Sequence, residues 1–378
     1  MIPRDVYEST LRGFLAPVLP LLDDDSVTEV MINGASEVFV ERRGKLMRTE
    51  ARFESTDALV SALRVVAQFV GRGFDEAQPI LEARLPDGSR VEALLPPIAH
   101  DGPSVAIRRF SKDKLTLQRL LDLGALTPDA AETLRVLIEG KQNVVVAGGT
   151  GSGKTSLLNA LSSFIPDDER VIVIEDAREL QLQREHVVQF ETRPADARGK
   201  GAVTIRDLFK ASLRMRPDRI VLGEIRGGEA LDLIQAMTSG HGGCLATVHA
   251  TYPIDTLNRL ETLALMGGVE LPLFALRAQL ASAVDIVVQT ARLRDGRRLV
   301  THITEVAGAD PQRGYAIKDI FVSIPGPRQP DGRIPCELLP TGVLPGCLPL
   351  LHAQGLDLPV GVHDNARAAR EGARHGAS

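Results

Sequence analysis

Apolar residues recur at two different spacings along this chain, and the change between them divides it. Up to about Arg109, short alternating runs dominate. Glu37-Val38-Phe39-Val40-Glu41 alternates like a strand with one buried face, and Arg43-Gly44 turns it back toward Lys45-Leu46-Met47. Ser26 to Ile32 predicts a helical turn running into a strand that closes at Asn33-Gly34. From Thr56 to Val70, Leu59, Leu63, Val66 and Phe69 or Val70 fall at helical spacing. Ala83-Arg84-Leu85 and Arg90 to Leu94 flank Pro86-Asp87-Gly88, a hairpin signal, and Val105 to Phe110 reads as a last strand. Residues 1–110 thus predict a small α+β domain.

Residues 111–116, Ser111 to Thr116, are polar and read as a linker. Residues 117–364 carry a different pattern. Helices are expected at Leu117–Leu123, ended by Gly124, and at Pro128–Ile138, with Thr127 as N-cap. From Asn143 onward, unbroken β-branched runs alternate with helical stretches. The runs are Asn143 to Ala147, Val171 to Ile174, Ile220 to Leu222, Cys244 to Val248 and Ile286 to Val288. Such runs suit strands covered on both faces, which predicts an α/β sheet. Prolines crowd the region after Phe321, and residues 365–378, small and polar, are expected to be a disordered tail.

With 378 residues, 44% hydrophobic and 25% charged, the chain can fill two cores. A net charge of -5 and the lack of tryptophan argue against a nucleic-acid binder, despite basic clusters at Glu41 to Lys45 and Arg108 to Lys114. The run Phe14 to Leu22 is too short to span a bilayer and is broken by Pro17 and Pro20. No signal-peptide order opens the chain. Cys244, Cys336 and Cys347 form no C-x-x-C pair, so neither a zinc knuckle nor a disulfide framework is indicated. A cytoplasmic protein is expected, without direct membrane insertion and meeting a membrane through a partner.

Chemistry enters at Gly148-Gly149-Thr150-Gly151-Ser152-Gly153-Lys154-Thr155, which satisfies G-x-x-x-x-G-K-[ST] between a predicted strand and a helix opening at Ser156. Glycines there let backbone N–H groups turn inward on phosphates, and the helix dipole favours negative charge. Lys154 is expected on the β- and γ-phosphates of a nucleoside triphosphate and the Thr155 hydroxyl on Mg²⁺. Glu175, with Asp176 beside it, and Glu224 each follow a buried strand, where a side chain projects over the sheet's carboxyl edge. In Leu222-Gly223-Glu224, glycine stands where a Walker B strand usually has aspartate. His249 follows a third strand, where a histidine can sense the γ-phosphate, and His241, among glycines that permit close backbone approach, is a second candidate functional residue. Arg90 and Arg108 lie on first-domain strands near the linker, where a guanidinium binds phosphate or closes a salt bridge.

Four boxes in order carry a family resemblance: the Walker A segment, Ile174-Glu175-Asp176, Leu213 to Ala230 around Glu224, and the histidine box ending at His249. Together they resemble the type II/type IV secretion-system ATPase superfamily, and within it the tight-adherence (Tad) pilus assembly ATPases. Arg84 to Arg90, Ser104 to Phe110 and Thr341 to Pro345 extend the resemblance from about Ser26 to Val362. It implies a RecA-like P-loop motor domain, α/β in class, preceded by a smaller α+β N-terminal domain. It also implies a homohexamer that uses ATP and Mg²⁺ to drive an inner-membrane platform protein in pilus assembly or export. Glu224 and Glu175 then correspond to the catalytic acids, Glu175 also to a metal contact. Arg90, Arg108, Arg226 and His249 correspond to nucleotide contacts. Tad-type relatives often carry a longer N-terminal extension, whereas this chain begins almost at the shared domain. The four-cysteine module of type II exporters is missing, and the region of the retraction subgroup's helix reads Ala275 to Leu280. A conjugative type IV secretion ATPase is the rival reading, with a RecA-like nucleic-acid translocase and a small-molecule P-loop kinase behind it.

Overall fold

The computed structural model describes residues 4–375, except 43, 111–114, 196–198, 311, 331 and 333. It comprises two compact units, Met1–Asp113 with Pro194–Ala202, and Lys114–Arg193 with Val203–Ser378. Most of the expected linker, 111–114, lies outside the described residues.

The first unit opens with helices α1 (Arg4–Phe14) and α2 (Leu19–Leu22). Strands β1 (Val27–Asn33), β2 (Glu37–Arg42) and β3 (Lys45–Arg48) follow, then α3 (Thr56–Phe69), β4 (Ile80–Arg84), β5 (Arg90–Leu94) and β6 (Ser104–Arg108). The sheet runs β3-β2-β1-β6-β5-β4, antiparallel throughout. Ser55 caps α3 by accepting from the Ala58 amide at 3.1 Å. Leu59, Leu63 and Val66 of that helix share one core with Val30, Ile32, Val38, Val91 and Ile107. The helical turn expected before Ile32 is strand from Val27 on. A register shift between Val27 and Glu29 puts two residues between the buried Val27 and Val30, and that spacing imitates a helix.

The second unit begins with α4 (Leu117–Asp122) and α5 (Pro128–Glu139). Its central elements are β7 (Val144–Gly148), α6 (Lys154–Leu161), β8 (Val171–Glu175), β9 (Val187–Glu191), α7 (Ile205–Ser212), β10 (Arg219–Leu222), α8 (Glu229–Thr238), β11 (Leu245–Val248), α9 (Pro253–Leu265) and α10 (Leu273–Ala283). It closes with β12 (Ile286–Arg292), β13 (Arg298–Asp310), β14 (Gly314–Pro325), β15 (Cys336–Pro340), α11 (Leu348–Ala353) and α12 (Val360–His375). The sheet order is β15-β14-β13-β12-β7-β11-β10-β8-β9. Strands from β12 to β9 are parallel; β13, β14 and β15 add an antiparallel flank. Val144 and Val146 enter one core, and Val145 and Ala147 the other. Both faces of β7 are covered, which is why the strand reads as an unbroken apolar run.

Thr127 stands at the N-cap of α5 as expected, yet its hydroxyl donates to the Leu338 carbonyl at 3.1 Å instead of capping. The expected tail also differs. Residues 365–375 belong to α12, whose Val362 and Ala366, one turn apart, are buried. That spacing anchors the first turns of the helix, up to residue 366.

Candidate nucleotide site

Parallel strands put their carboxyl ends on one edge of a sheet, and the loops after them form its crevice. Here β7 leads into the glycine loop, β8 ends at Glu175, β10 leads to Glu224 and β11 to His249. Strand order sets β11 beside β7 and β10 beside β11, so the boxes that lie apart in sequence converge.

In the loop itself, Gly153 takes φ 96°, a left-handed conformation that leads into α6. A Cβ on Gly149 would meet nothing within 4 Å, so the loop opens there, whereas one on Gly148 would stand 2.3 Å from the hydroxyls of Ser152 and Thr290. Ser152 Oγ lies 2.8 Å from Thr290 Oγ1, and Thr290 donates to the Ala147 carbonyl at 3.0 Å. Arg298 Nε donates to the Gly151 carbonyl at 2.8 Å. Thr290 and Arg298 belong to β12 and β13, and no motif marks them in the sequence. Only the placement of β12 against β7 brings Thr290 opposite Gly148.

Lys154, the first residue of α6, is buried, and its ammonium donates to the Gly149 carbonyl at 3.1 Å. It also stands 3.3 Å from His249 Nδ1, while His249 Nε2 lies 3.0 Å from Glu224 Oε1. One tautomer serves both contacts: Nε2–H donates to Glu224, and Nδ1 accepts from Lys154. Burial and then the Lys154 charge hold the His249 pKa below its ordinary value, with Glu224 opposing them. Neutral imidazole is the form this arrangement favours at pH 7.

Arg226 bridges two carboxylates, reaching Glu224 Oε2 at 2.9 Å and Asp176 Oδ2 at 2.6 Å. Its own turn is held by the buried Glu229, whose Oε1 accepts from the amides of Arg226 and Gly227 at 2.6 and 2.8 Å. The loop before it is pinned from both sides. Thr247 Oγ1 donates to the Gly223 carbonyl at 2.5 Å, and the Gly223 amide to the Ile174 carbonyl at 2.8 Å. Glu224 therefore sits on a rigid turn with its carboxylate gripped by a guanidinium and an imidazole.

Glu175 is at the same edge but is occupied differently. It is 3% exposed, and its Oε1 accepts from the amides of Glu179 and Leu180, both at 2.9 Å. Its side chain fills the space beside Gly223: a Cβ there would lie 2.8 Å from Glu175 Cγ. This is the physical reason glycine occupies the usual aspartate position. Burial pushes the Glu175 carboxyl up from 4.5 to about 7, against the pull of the two amides. A raised acid pKa gives stability that is complete below 4.5 and lost as pH rises through 7. Glu175→Gln keeps an acceptor for the amides, so it should flatten that decline. Across the window the difference amounts to about 3 kcal/mol by linkage. Thermal melts from pH 4.5 to 8 check it; parallel curves for the two proteins would count against the buried-carboxyl account.

The remaining candidates divide. Thr155 and Ser156 follow Lys154 in the first turn of α6. Arg90 and Arg108 face each other directly across β5 and β6 in the first unit, with Arg84 opposite Arg90 and Glu29 opposite Arg108. Arg90 also approaches Glu82 at 3.5 Å. His241 is not at this edge. It precedes β11, whose Leu245 pairs with Val144 at the start of β7, so it lies at the amino edge of the sheet, opposite the glycine loop. Of the glycines around it, Gly243 makes room for the buried Arg219, whose guanidinium donates to the Gly243 carbonyl at 3.3 Å.

A family model described as type II/IV secretion system protein matches residues 14–310. The chain is 37% identical over 312 residues to a putative conjugal transfer protein of Mycobacterium tuberculosis, covering 81% of this chain and 88% of that one. It is 36% identical over 326 residues to the type IV secretion system protein VirB11 of Brucella suis, covering 79% and 90%. In fold it is similar to the ATPase DotB of Legionella pneumophila, with a TM-score of 0.55 at 18% identity, covering 79% of this chain and 81% of that one.

Proposed function

The chain belongs to the type II/IV secretion system protein family and is an ATP-hydrolysing enzyme of it, and we propose that it powers macromolecular transfer through a conjugative or type IV secretion apparatus. The observation that supports this reading is the similarity to a putative conjugal transfer protein over 81% of the chain, with all four boxes gathered on one sheet edge. The tight-adherence pilus assignment is narrower than these relatives support, and the broader transfer function takes its place.

The site suits a magnesium nucleotide, since the open face at Gly149, the loop amides, a buried ammonium and the Thr155 hydroxyl supply what phosphates and a hard cation need. Mg²⁺, held by Thr155, would neutralise charge on the β- and γ-phosphates. Lys154 exchanges its Gly149 carbonyl for phosphate oxygen. Glu224 orients the attacking water and takes its proton. Arg226 and His249 hold Glu224 in place, and Glu175 positions the turn from 175 to 180 and the Gly223 backbone. The motor acts as a ring of six copies beside a membrane platform, a native mass of six chains with a non-hydrolysable ATP analogue being the check. Among the described residues no helix is long and apolar enough to cross a membrane.

Deletion of the gene in its host, complemented by wild type or by Glu224→Gln, tests the function. Plasmid or effector transfer should be lost on deletion and restored by wild type alone. Unchanged transfer together with loss of surface pili would overturn this reading in favour of pilus assembly.

A further inference from the structure

The family model ends at residue 310, and the segment beyond it carries a cluster that the nucleotide site does not use. His352 lies in the last turn of α11, Asp357 in the loop that follows and His363 in the first turn of α12. Both imidazoles converge on one carboxylate oxygen: His352 Nε2 is 2.9 Å and His363 Nε2 2.8 Å from Asp357 Oδ1. One donor atom from each residue lies within 4.8 Å of the other two. We propose that His352, Asp357 and His363 form a binding site for a zinc-class divalent metal ion, the two Nε2 atoms and an Asp357 oxygen being its ligands and the remaining position open to solvent.

Two features carry this. The first is preorganisation. Each ligand is the sequence neighbour of a buried core residue: Leu351 precedes His352, Leu358 follows Asp357 and Val362 precedes His363. Between them Gly355, at φ 75°, reverses the chain, and the Leu356 amide donates back to the Leu351 carbonyl at 3.0 Å. A tight approach to α5 fixes the corner from below, since a Cβ on Gly361 would stand 2.3 Å from Asp129 Oδ2. The surface histidines are thus aimed by a backbone that packing holds, and ordering them costs little on metal binding.

The second is donor chemistry. Two imidazoles and one carboxylate make an N₂O set, which suits zinc, whereas magnesium and calcium take oxygen ligands. Tetrahedral zinc places its ligand atoms about 3.3 Å apart, a spacing within the 4.8 Å the three donors span. A pure hydrogen-bond clasp is the alternative. In it Oδ1 alone accepts from both histidines and from the Leu358 amide at 2.8 Å, while Oδ2 has no partner among the described residues. Metal binding would use that second oxygen and tie α11 to α12.

The test uses the full chain, stripped of metal and free of nucleotide, titrated with Zn²⁺ by calorimetry and with Co²⁺ by visible absorption. Wild type should bind one zinc per chain and give the intense absorption of tetrahedral cobalt. His352→Ala or His363→Ala should weaken zinc binding at least about 10-fold, and the double variant should lose the cobalt band. Asp357→Asn, which still accepts the Leu358 amide, should weaken binding without unfolding, as read by circular dichroism. No difference between wild type and the double variant, whether both bind zinc or neither does, overturns the site.

Discussion

Glutamine in place of Glu224 is expected to leave ATP binding within a few-fold of wild type while turnover falls by about 10²–10⁴, the range a positioned general base supplies. The contacts explain the split. Glu224 touches Arg226 and His249, both protein groups, and lies outside the glycine loop to which we assign phosphate binding. Removing its charge alters the transition state more than the ground state. Lys154→Ala should behave in the opposite way and weaken binding itself, because the ammonium sits inside the loop against the Gly149 carbonyl. Binding of a fluorescent ATP analogue and single-turnover hydrolysis separate the two effects. Wild-type turnover in Glu224→Gln would move the base elsewhere, with Asp176 next in line through its shared Arg226.

Gly223→Asp should be among the most damaging single changes in the second unit, although it restores the residue a Walker B strand usually carries. The new Cβ would lie 2.8 Å from Glu175 Cγ and 3.4 Å from its Oε1. Glu175 cannot swing aside without releasing the Glu179 and Leu180 amides. Overpacking of this kind costs about 1–3 kcal/mol, and a second carboxylate beside a buried one adds to it. The unfolding midpoint at pH 7 should therefore drop by several degrees. Combining Gly223→Asp with Glu175→Ala should recover a substantial part of that loss, a coupling of about 0.5–3 kcal/mol for residues in contact. A Gly223→Asp protein as stable as wild type would show that the glycine is not dictated by Glu175.

Much of the molecule was legible before any coordinates, because local rules govern it. A strand covered on both faces must be apolar throughout, so β7, β8, β10 and β11 announced themselves. A tight loop from a strand into a helix needs glycine, so the glycine-rich run 148–153 between β7 and α6 did too, Gly153 at φ 96° leading into the helix. The antiparallel first sheet followed from alternation, except where a bulge in β1 broke the period and mimicked a helix. What depends on strand order carries no local trace. That order puts Thr290 opposite Gly148 and brings Arg298 to the Gly151 carbonyl, and it sends His241 to the edge opposite His249. Packing decided the rest. It turned Glu175 onto two amides beside Gly223, and it anchored the start of α12 through Val362 and Ala366. It also drew His352, Asp357 and His363 together at a corner whose turn no spacing rule describes. Periodicity tells a side chain which face to take, while which side chains meet is set by the order in which separate elements pack.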